Sequence, residues 1–154
     1  MTDTLYNPVK WTVSTDKISP NEYNIIINLK IDEGWKIASY YCVDHRFFPF
    51  RFNIENERIE VLKVTEYPPL KNSYKDVYDM QTSFPYYTNE ATITLHSRVL
   101  EPQITIRGEF QYMPFSDEGF LEPTYQCFIV QLEPNIHTFS IGKKCKVFSL
   151  DNDF

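Results

Sequence analysis

Apolar side chains recur at every second position in many stretches of the chain, and this period constrains the fold more than any other feature of the sequence. A β-strand points successive side chains to opposite faces of its sheet, so a period of two predicts a strand with one buried face. The clearest example covers 22–31, and its apolar residues are Tyr23, Ile25, Ile27, Leu29 and Ile31. Further strands are predicted at 35–41, 48–54, 59–65, 91–99, 104–112, 125–132, 136–141 and 144–150.

Short strands separated by frequent turns predict an all-β architecture. Residues that favour strands are abundant, with 12 Phe and 11 Tyr, whereas Ala38 and Ala91 are the only alanines. About eight or nine strands of this kind are typical of two antiparallel sheets packed face to face rather than of a βαβ fold. The sequence therefore predicts an antiparallel β-sandwich formed by a single domain over 1–154, with a longer irregular connection at 66–85.

The charge of the chain argues against two classes of partner. With 15 basic and 21 acidic residues the formal net charge is −6, whereas a protein that binds nucleic acid or an anionic membrane needs a clustered basic face. No apolar run approaches the roughly 20 residues of a transmembrane helix, so we expect no membrane insertion by this chain. No signal peptide is visible at Met1. If the protein is exported, its signal peptide has been removed, and a cytoplasmic location is the alternative. The sequence leaves the oligomeric state open.

The three cysteines, Cys42, Cys127 and Cys145, form neither a metal-binding pattern nor a redox motif. They lie far apart, without the close spacing that a zinc site or a dense disulfide framework requires. Cys127 lies inside the apolar run 125–132, where a buried and inert thiol is expected. A bridge from Cys127 to either of the other two cysteines is left open.

The residue types that catalysis uses are present but are not grouped. His96 alternates with Thr94 and Arg98 on a polar strand face. Asp44 and His45 are adjacent, so on a strand their side chains would point to opposite faces. The four glycines are too scattered for a phosphate-binding loop. We therefore predict no catalytic residue, no metal site and no cofactor.

The connection from Tyr112 to Thr124 is the most distinctive segment, because it is unusually apolar for a link between two strands. With four earlier stretches, it resembles the amino-terminal periplasmic domain of the thiol:disulfide interchange protein DsbD. Those stretches are 7–11 (NPVKW), 31–37 (IDEGWKI), 74–80 (YKDVYDM) and 108–112 (GEFQY). The resemblance covers about 7–132, and 133–154 would add C-terminal strands and a tail. It implies an immunoglobulin-like sandwich with a cap loop at 74–80 and a redox hairpin after 108–112.

The chain departs from this family at the residues that would carry the chemistry. The family's hairpin holds two cysteines around a short loop with Asp and Gly, followed by prolines. Four residues of this chain fit that frame: Asp117, Gly119, Phe120 and Pro123. The cysteine positions fall on Phe115 and on Leu121, or on Phe120 if the loop is one residue shorter. Without a thiolate there is no nucleophile for disulfide exchange, so the resemblance implies a degenerate active site.

Two interpretations of the altered hairpin follow. Its apolar residues pack beneath the cap loop and close one end of the sandwich, or they form a recognition patch for a protein partner. The candidate partner-facing residues are Tyr74, Tyr78, Phe115, Asp117, Phe120 and Leu121.

The leading functional hypothesis is a non-catalytic, extracytoplasmic interaction domain with a periplasmic protein as its partner. The first alternative is a thiol:disulfide oxidoreductase that uses a displaced pair drawn from Cys42, Cys127 and Cys145. The second is a carbohydrate- or peptide-binding module that uses exposed Tyr67, Tyr86 and Tyr87.

Overall fold

Thirteen β-strands and one turn of 3-10 helix form the part of the chain that the computed structural model describes, which is residues 7–54, 59–69, 74–75, 83–100 and 105–132. In chain order these elements are β1 (Val9–Ser19), β2 (Glu22–Ile31), β3 (Ile37–Ala38), η1 (His45–Phe47), β4 (Arg51–Ile54), β5 (Ile59–Tyr67), β6 (Tyr74–Lys75), β7 (Ser83–Phe84), β8 (Tyr86–Tyr87), β9 (Glu90–Val99), β10 (Thr105–Tyr112), β11 (Phe115–Ser116), β12 (Gly119–Phe120) and β13 (Thr124–Gln131). Within these ranges, no helix has the length and apolar character needed to cross a membrane.

The long strands form two antiparallel sheets, with strand orders β1-β2-β9-β5 and β13-β10-β4. Their apolar faces share one core. Trp11 of β1 meets Phe110 of β10 edge to face, with ring centroids 5.0 Å apart, and Phe50 stacks on Phe110 at 5.4 Å. The prediction of an all-β, immunoglobulin-like antiparallel sandwich is confirmed.

The period of two in the sequence locates the buried faces of the central strands. On β2, Ile25 and Ile27 are fully buried, and on β9 the same holds for Ile93 and Leu95. These two strands are neighbours, and Ile25 pairs directly with Leu95. His96 lies on the opposite, outward face of β9, where its Nε2 is 2.9 Å from the Thr65 hydroxyl.

The strand predicted over 48–54 begins three residues later, and the strand predicted over 35–41 is reduced to β3. The turn η1 intervenes because the Asp44 side chain accepts a hydrogen bond from the Arg46 backbone N–H at 3.0 Å and so caps it. Phe48 ends the turn with φ of 45°, in the left-handed region that strands do not use. Phe48 therefore does not continue the alternation of Phe50 and Phe52.

The structure also contains strands that the sequence analysis did not identify. The first is β1, whose inward face carries Val9 and Val13 but then Thr15, so its apolar period is short. Within the stretch predicted to be irregular, 66–85, β5 continues to Tyr67, and β6 pairs with β7. The strands predicted at 136–141 and 144–150 lie outside the described residues, and so do the ends of the domain predicted over 1–154.

Candidate functional site

A short hairpin, β11–β12, occupies the apolar connection 112–124. Phe115 lies directly opposite Phe120, and Ser116 lies opposite Gly119, with Asp117 and Glu118 in the turn between them. Gly119 has φ of 144°, a conformation that residues with a side chain rarely adopt. The glycine therefore lets the chain return at this point.

Backbone hydrogen bonds attach this hairpin to the chain just before β3. The Phe115 N–H donates to the Lys36 carbonyl at 2.9 Å, and the Lys36 N–H donates to the Phe115 carbonyl at 2.8 Å. Because both backbone groups of Phe115 point toward Lys36, Phe115 and Phe120 form a non-hydrogen-bonded pair, in which cross-strand side chains approach most closely. Leu121 lies one position further along the ladder than Phe120, and its N–H donates to the Pro114 carbonyl at 2.9 Å.

Phe115 belongs to a second hydrophobic core at this end of the sandwich. Only 1% of it is exposed, and its ring lies 5.7 Å from that of Phe47 and 6.0 Å from that of Phe84. Ala38 and Cys42 complete the buried cluster. At the first of the two expected cysteine positions, therefore, the side chain packs and closes the end of the sandwich.

Phe120 behaves differently from its cross-strand partner, because 44% of it is exposed. Its ring rests on Phe47 at 6.0 Å, so one side is packed and the other faces solvent. Phe48, which follows Phe47 at the end of η1, meets Tyr125 of β13 edge to face at 5.9 Å, and 39% of Tyr125 is exposed. The Arg46 guanidinium lies over the Phe47 ring at 5.5 Å.

We call Arg46, Phe48, Phe120 and Tyr125 the hairpin-end surface. Of these four residues only Phe120 was predicted from the sequence, because the other three come from η1 and β13 and meet only through tertiary contacts. The unusual run Arg46-Phe47-Phe48-Pro49 was the available signal. Leu121 is half-buried at the edge of this region.

Two ion pairs lie beside this surface, and each joins an exposed side chain to a half-buried one. Asp117 lies in the hairpin turn with 75% of its side chain exposed, and its Oδ1 is 3.8 Å from Lys36 Nζ. Arg46 Nη2 lies 2.8 Å from Asp44 Oδ2, and hydrogen bonding from Arg46 lowers the pKa of the Asp44 carboxyl. Asp44 therefore holds the arginine that covers Phe47.

A polar network holds the loop that leads into η1. Glu66 Oε2 accepts hydrogen bonds from the Ser39 hydroxyl at 2.5 Å and from the Tyr87 hydroxyl at 2.6 Å. On the other side of the loop, Arg51 Nη1 donates to the Tyr40 carbonyl at 2.7 Å, and Arg51 Nη2 donates to the Cys42 carbonyl at 3.0 Å. These contacts join β4, β5 and β8 to one short loop.

The cysteines differ from the sequence-based expectation. Cys127, predicted to be a buried inert thiol, is half-buried and disulfide-bonded. It lies on the outward face of β13, on the same side as Tyr125 and Ile129, because its burial alternates with that of Phe128 and Val130. Cys42 is a free thiol in the second core, and burial raises its pKa. A bridge between Cys42 and Cys127 is therefore excluded.

The three tyrosines proposed to bind carbohydrate or peptide do not form a common exposed surface. Tyr67 is 71% exposed, but only 1% of Tyr87 is exposed, and Tyr86 packs against the second core. Tyr74 lies in β6 opposite Phe84, and its side chain is outside what the structure describes. Tyr78 lies outside the described residues. Within the described ranges, no group of three or more His, Cys, Asp or Glu residues is placed to hold a metal ion.

Comparisons with known proteins identify the fold. No family model matches the chain, and no curated protein matches it. Among solved structures, the amino-terminal domain of DsbD from Neisseria meningitidis in its reduced form matches with a TM-score of 0.52 and 9% sequence identity, covering 85% of this chain and 90% of that one.

The N-terminal periplasmic domain of ScsB from Proteus mirabilis matches with a TM-score of 0.58 and 12% identity. The match covers 97% of this chain and 53% of the ScsB chain, so the present chain spans about half of its length. At these identities the comparisons establish architecture alone. The chain has the fold of the DsbD and ScsB amino-terminal domains.

Proposed function

We propose that this chain is an extracytoplasmic protein-interaction domain that binds a partner through the hairpin-end surface and does not exchange disulfides at its hairpin. The observation that carries the proposal is the pairing of Phe115 with Phe120. Directly opposite residues of a non-hydrogen-bonded pair have Cα atoms about 4.5 Å apart, within the range that a disulfide spans. In this chain the two positions carry aromatic rings instead of thiols.

The two rings support different parts of the proposal. Phe115 lies in the second core, where it fixes the hairpin against η1. Phe120 presents a half-exposed ring that rests on Phe47, which the Arg46 guanidinium also covers, and aromatic residues and arginine are the side chains most enriched at the centres of protein interfaces. The surface is also held in place, because the polar network at Glu66 and Arg51 anchors the loop before η1. A preorganised surface loses less conformational entropy on binding.

Two observations support an extracytoplasmic location. Cys127 is disulfide-bonded, and structural disulfides form and persist in oxidising compartments such as the bacterial periplasm. The ScsB domain that shares the fold is periplasmic.

Site-specific photocrosslinking in the native host tests the proposal. A photoreactive phenylalanine analogue at position 120 is expected to form an adduct with a discrete protein. The matched control is the same analogue at Leu62, which is also 44% exposed but lies on β5 of the four-stranded sheet. Adducts of equal yield at both positions, or none at position 120, would contradict the proposal.

A second candidate function is disulfide exchange at Cys127, which its disulfide-bonded state favours. Cys42 does not fit a nucleophilic role, because it is buried and its pKa is raised. This candidate predicts that a partner dithiol reduces the Cys127 bond through a mixed disulfide on Cys127 or on its bonded partner. Acid quenching and alkylation during that reaction would trap the intermediate, and reduction without any mixed species would exclude this function.

A further inference from the structure

The outward face of the four-stranded sheet carries a row of three charged residues. Lys10 of β1 lies directly opposite Lys30 of β2, and Lys30 lies directly opposite Glu90 of β9. Like charges at directly opposed positions of a sheet destabilise it. Within the part of the chain that the structure describes, neither lysine has a carboxylate at ion-pairing distance. The end of the row at Lys10 therefore has an excess of positive charge.

The next outward-facing row holds uncharged hydrogen-bonding groups and one aromatic ring. Asn28 lies between Thr12 of β1 and Thr92 of β9, and Tyr67 of β5 lies directly opposite Thr92. The Thr92 hydroxyl donates to Asn28 Oδ1 at 2.8 Å, which leaves the Asn28 amide N–H groups without an acceptor among the described residues. The row crosses all four strands, a length of about 14 Å. It ends at Tyr67, which is 71% exposed.

A shallow depression of about 290 Å³ lies between the two rows. Residues of both rows line it: Lys10, Lys30, Glu90, Thr12, Asn28 and Thr92. Their ammonium, amide and hydroxyl groups supply hydrogen-bond donors, and Glu90 supplies acceptors at one end. The intervening residues Trp11, Leu29 and Ala91 pack in the core. A site of this composition fits a ligand that is rich in hydroxyl groups and also carries an anionic group.

These features favour an acidic oligosaccharide over a peptide. A peptide is recognised by pockets for its side chains or by addition as a strand to a sheet edge, whereas this depression is polar and is centred on β2, an inner strand. A sugar ring places an apolar face on an exposed aromatic ring such as Tyr67 and directs its hydroxyls to groups such as the Asn28 amide. A carboxylate on the sugar is attracted to the two lysines.

We propose that this face binds an acidic oligosaccharide, with a sugar carboxylate between Lys10 and Lys30 and a neighbouring sugar ring on Tyr67. Asn28 and Thr92 bind the hydroxyls that lie between these two points. The site uses no residue of the hairpin-end surface, so it does not depend on the proposed function.

Titration calorimetry of the full chain tests the ligand class. The probes are trisaccharides of galacturonic, glucuronic or mannuronic acid, each beside its methyl ester. At least one acid is expected to bind at least about tenfold more tightly than its ester, because esterification removes the charge and keeps the ring. This preference should shrink as salt is added, since salt screens exposed charges.

Three results of the titrations would overturn the proposal. The first is that none of the acids binds, and the second is that the esters bind as tightly as the acids. The third is that inorganic polyphosphate binds as tightly as the best acid, since the face would then attract any polyanion.

Variants of exposed residues test the assigned positions. Lys10→Gln and Lys30→Gln should each weaken binding of the acid by about fivefold and leave binding of the ester unchanged. Tyr67→Ala should weaken acid and ester alike, because stacking on the ring does not require the charge. Lys63→Gln is the matched control, since Lys63 is an exposed lysine of β5 that lies opposite His96, beyond both rows. Equal losses for Lys63→Gln and Lys30→Gln would contradict the site.

Chemical-shift mapping by NMR locates the bound acid. The largest shifts are expected for the backbone amides of 10–12, 28–30 and 90–92, and the amides of Phe120 and Tyr125 should not move. Shifts centred on the three-stranded sheet or on the hairpin β11–β12 would place the ligand elsewhere and overturn the proposal.

Discussion

A single carboxylate oxygen joins three elements on one side of the sandwich. Glu66 Oε2, on β5, accepts from Ser39 after β3 and from Tyr87 on β8. A hydrogen bond to a charged group contributes about 1.5–3 kcal/mol, and leaving a buried hydroxyl without its partner adds a further cost. The charge on Glu66 therefore stabilises the loop that carries η1.

We predict that Glu66→Gln lowers the free energy of unfolding by about 1–3 kcal/mol in urea titrations. Tyr87→Phe should also destabilise the protein, because it removes one of the two hydrogen bonds. The double variant should lose less than the sum of the two single losses, since both act on the same contact. Strict additivity would show that Glu66 and Tyr87 are not coupled.

Glu109 is a residue whose charge opposes folding. Burial raises the pKa of its carboxyl above the ordinary value of 4.5, so the folded state favours the protonated form. The associated stability is fully present below pH 4.5 and is lost as the pH rises through the higher pKa of the folded state. Charged Glu109 therefore destabilises the protein at neutral pH.

Replacing this carboxyl by an amide should have an effect that depends on pH. Glu109→Gln is expected to raise the free energy of unfolding at pH 7, and the gain should shrink as the pH falls toward 4. Urea titrations at both pH values measure it, with Glu90→Gln, at an exposed position on β9, as the control. A gain that is the same at both pH values would contradict the assigned cause.

At the scale of elements, the hairpin β11–β12 makes a geometric prediction. Phe115 and Phe120 form its non-hydrogen-bonded pair. The double variant Phe115→Cys/Phe120→Cys should therefore close a disulfide on air oxidation more readily than Phe115→Cys/Leu121→Cys, whose second side chain points to the other face. Thiol counts and intact mass measure closure. Faster closure by the 115/121 pair would mean that the register differs from the one described.

Strand length decides which elements could be predicted from the sequence. The strands β2 and β9 are 10 residues long and expose the period of two over several repeats, so their buried faces were predicted correctly. Strands of two residues such as β3, β11 and β12 are too short to show any period. Two of them form through backbone pairing with distant segments, since β3 pairs with β8 and Phe115 of β11 pairs with Lys36.

The candidate surface was only partly predictable for the same physical reason. Phe120 could be identified because it lies in an apolar connection between two strands. Phe48 and Tyr125 are far apart in sequence, and their contact depends on the left-handed turn at Phe48. Local residue preferences do not encode such a turn, because phenylalanine rarely adopts positive φ.

At the scale of the whole molecule, there are two hydrophobic cores, and the proposed function assigns them different roles. The large core lies between the sheets, whereas the second core closes one end and supports an exposed surface. Phe115→Ala should lower the free energy of unfolding by about 3–5 kcal/mol, the usual cost of deleting a buried phenylalanine. Phe120→Ala should cost about 1 kcal/mol or less, as for a surface substitution. Equal losses would mean that both rings serve only to close the sandwich.

The most direct test of the proposed function is the affinity for the partner captured at position 120, measured by titration calorimetry with purified proteins. Phe120→Ser is expected to weaken binding by at least about tenfold, because an exposed aromatic anchor at the centre of an interface contributes more than about 1.4 kcal/mol. Leu62→Ser, which changes an equally exposed residue on the other sheet, should leave the affinity unchanged. Unchanged affinity for Phe120→Ser, or an equal loss for Leu62→Ser, would contradict the assignment of the hairpin-end surface as the binding site.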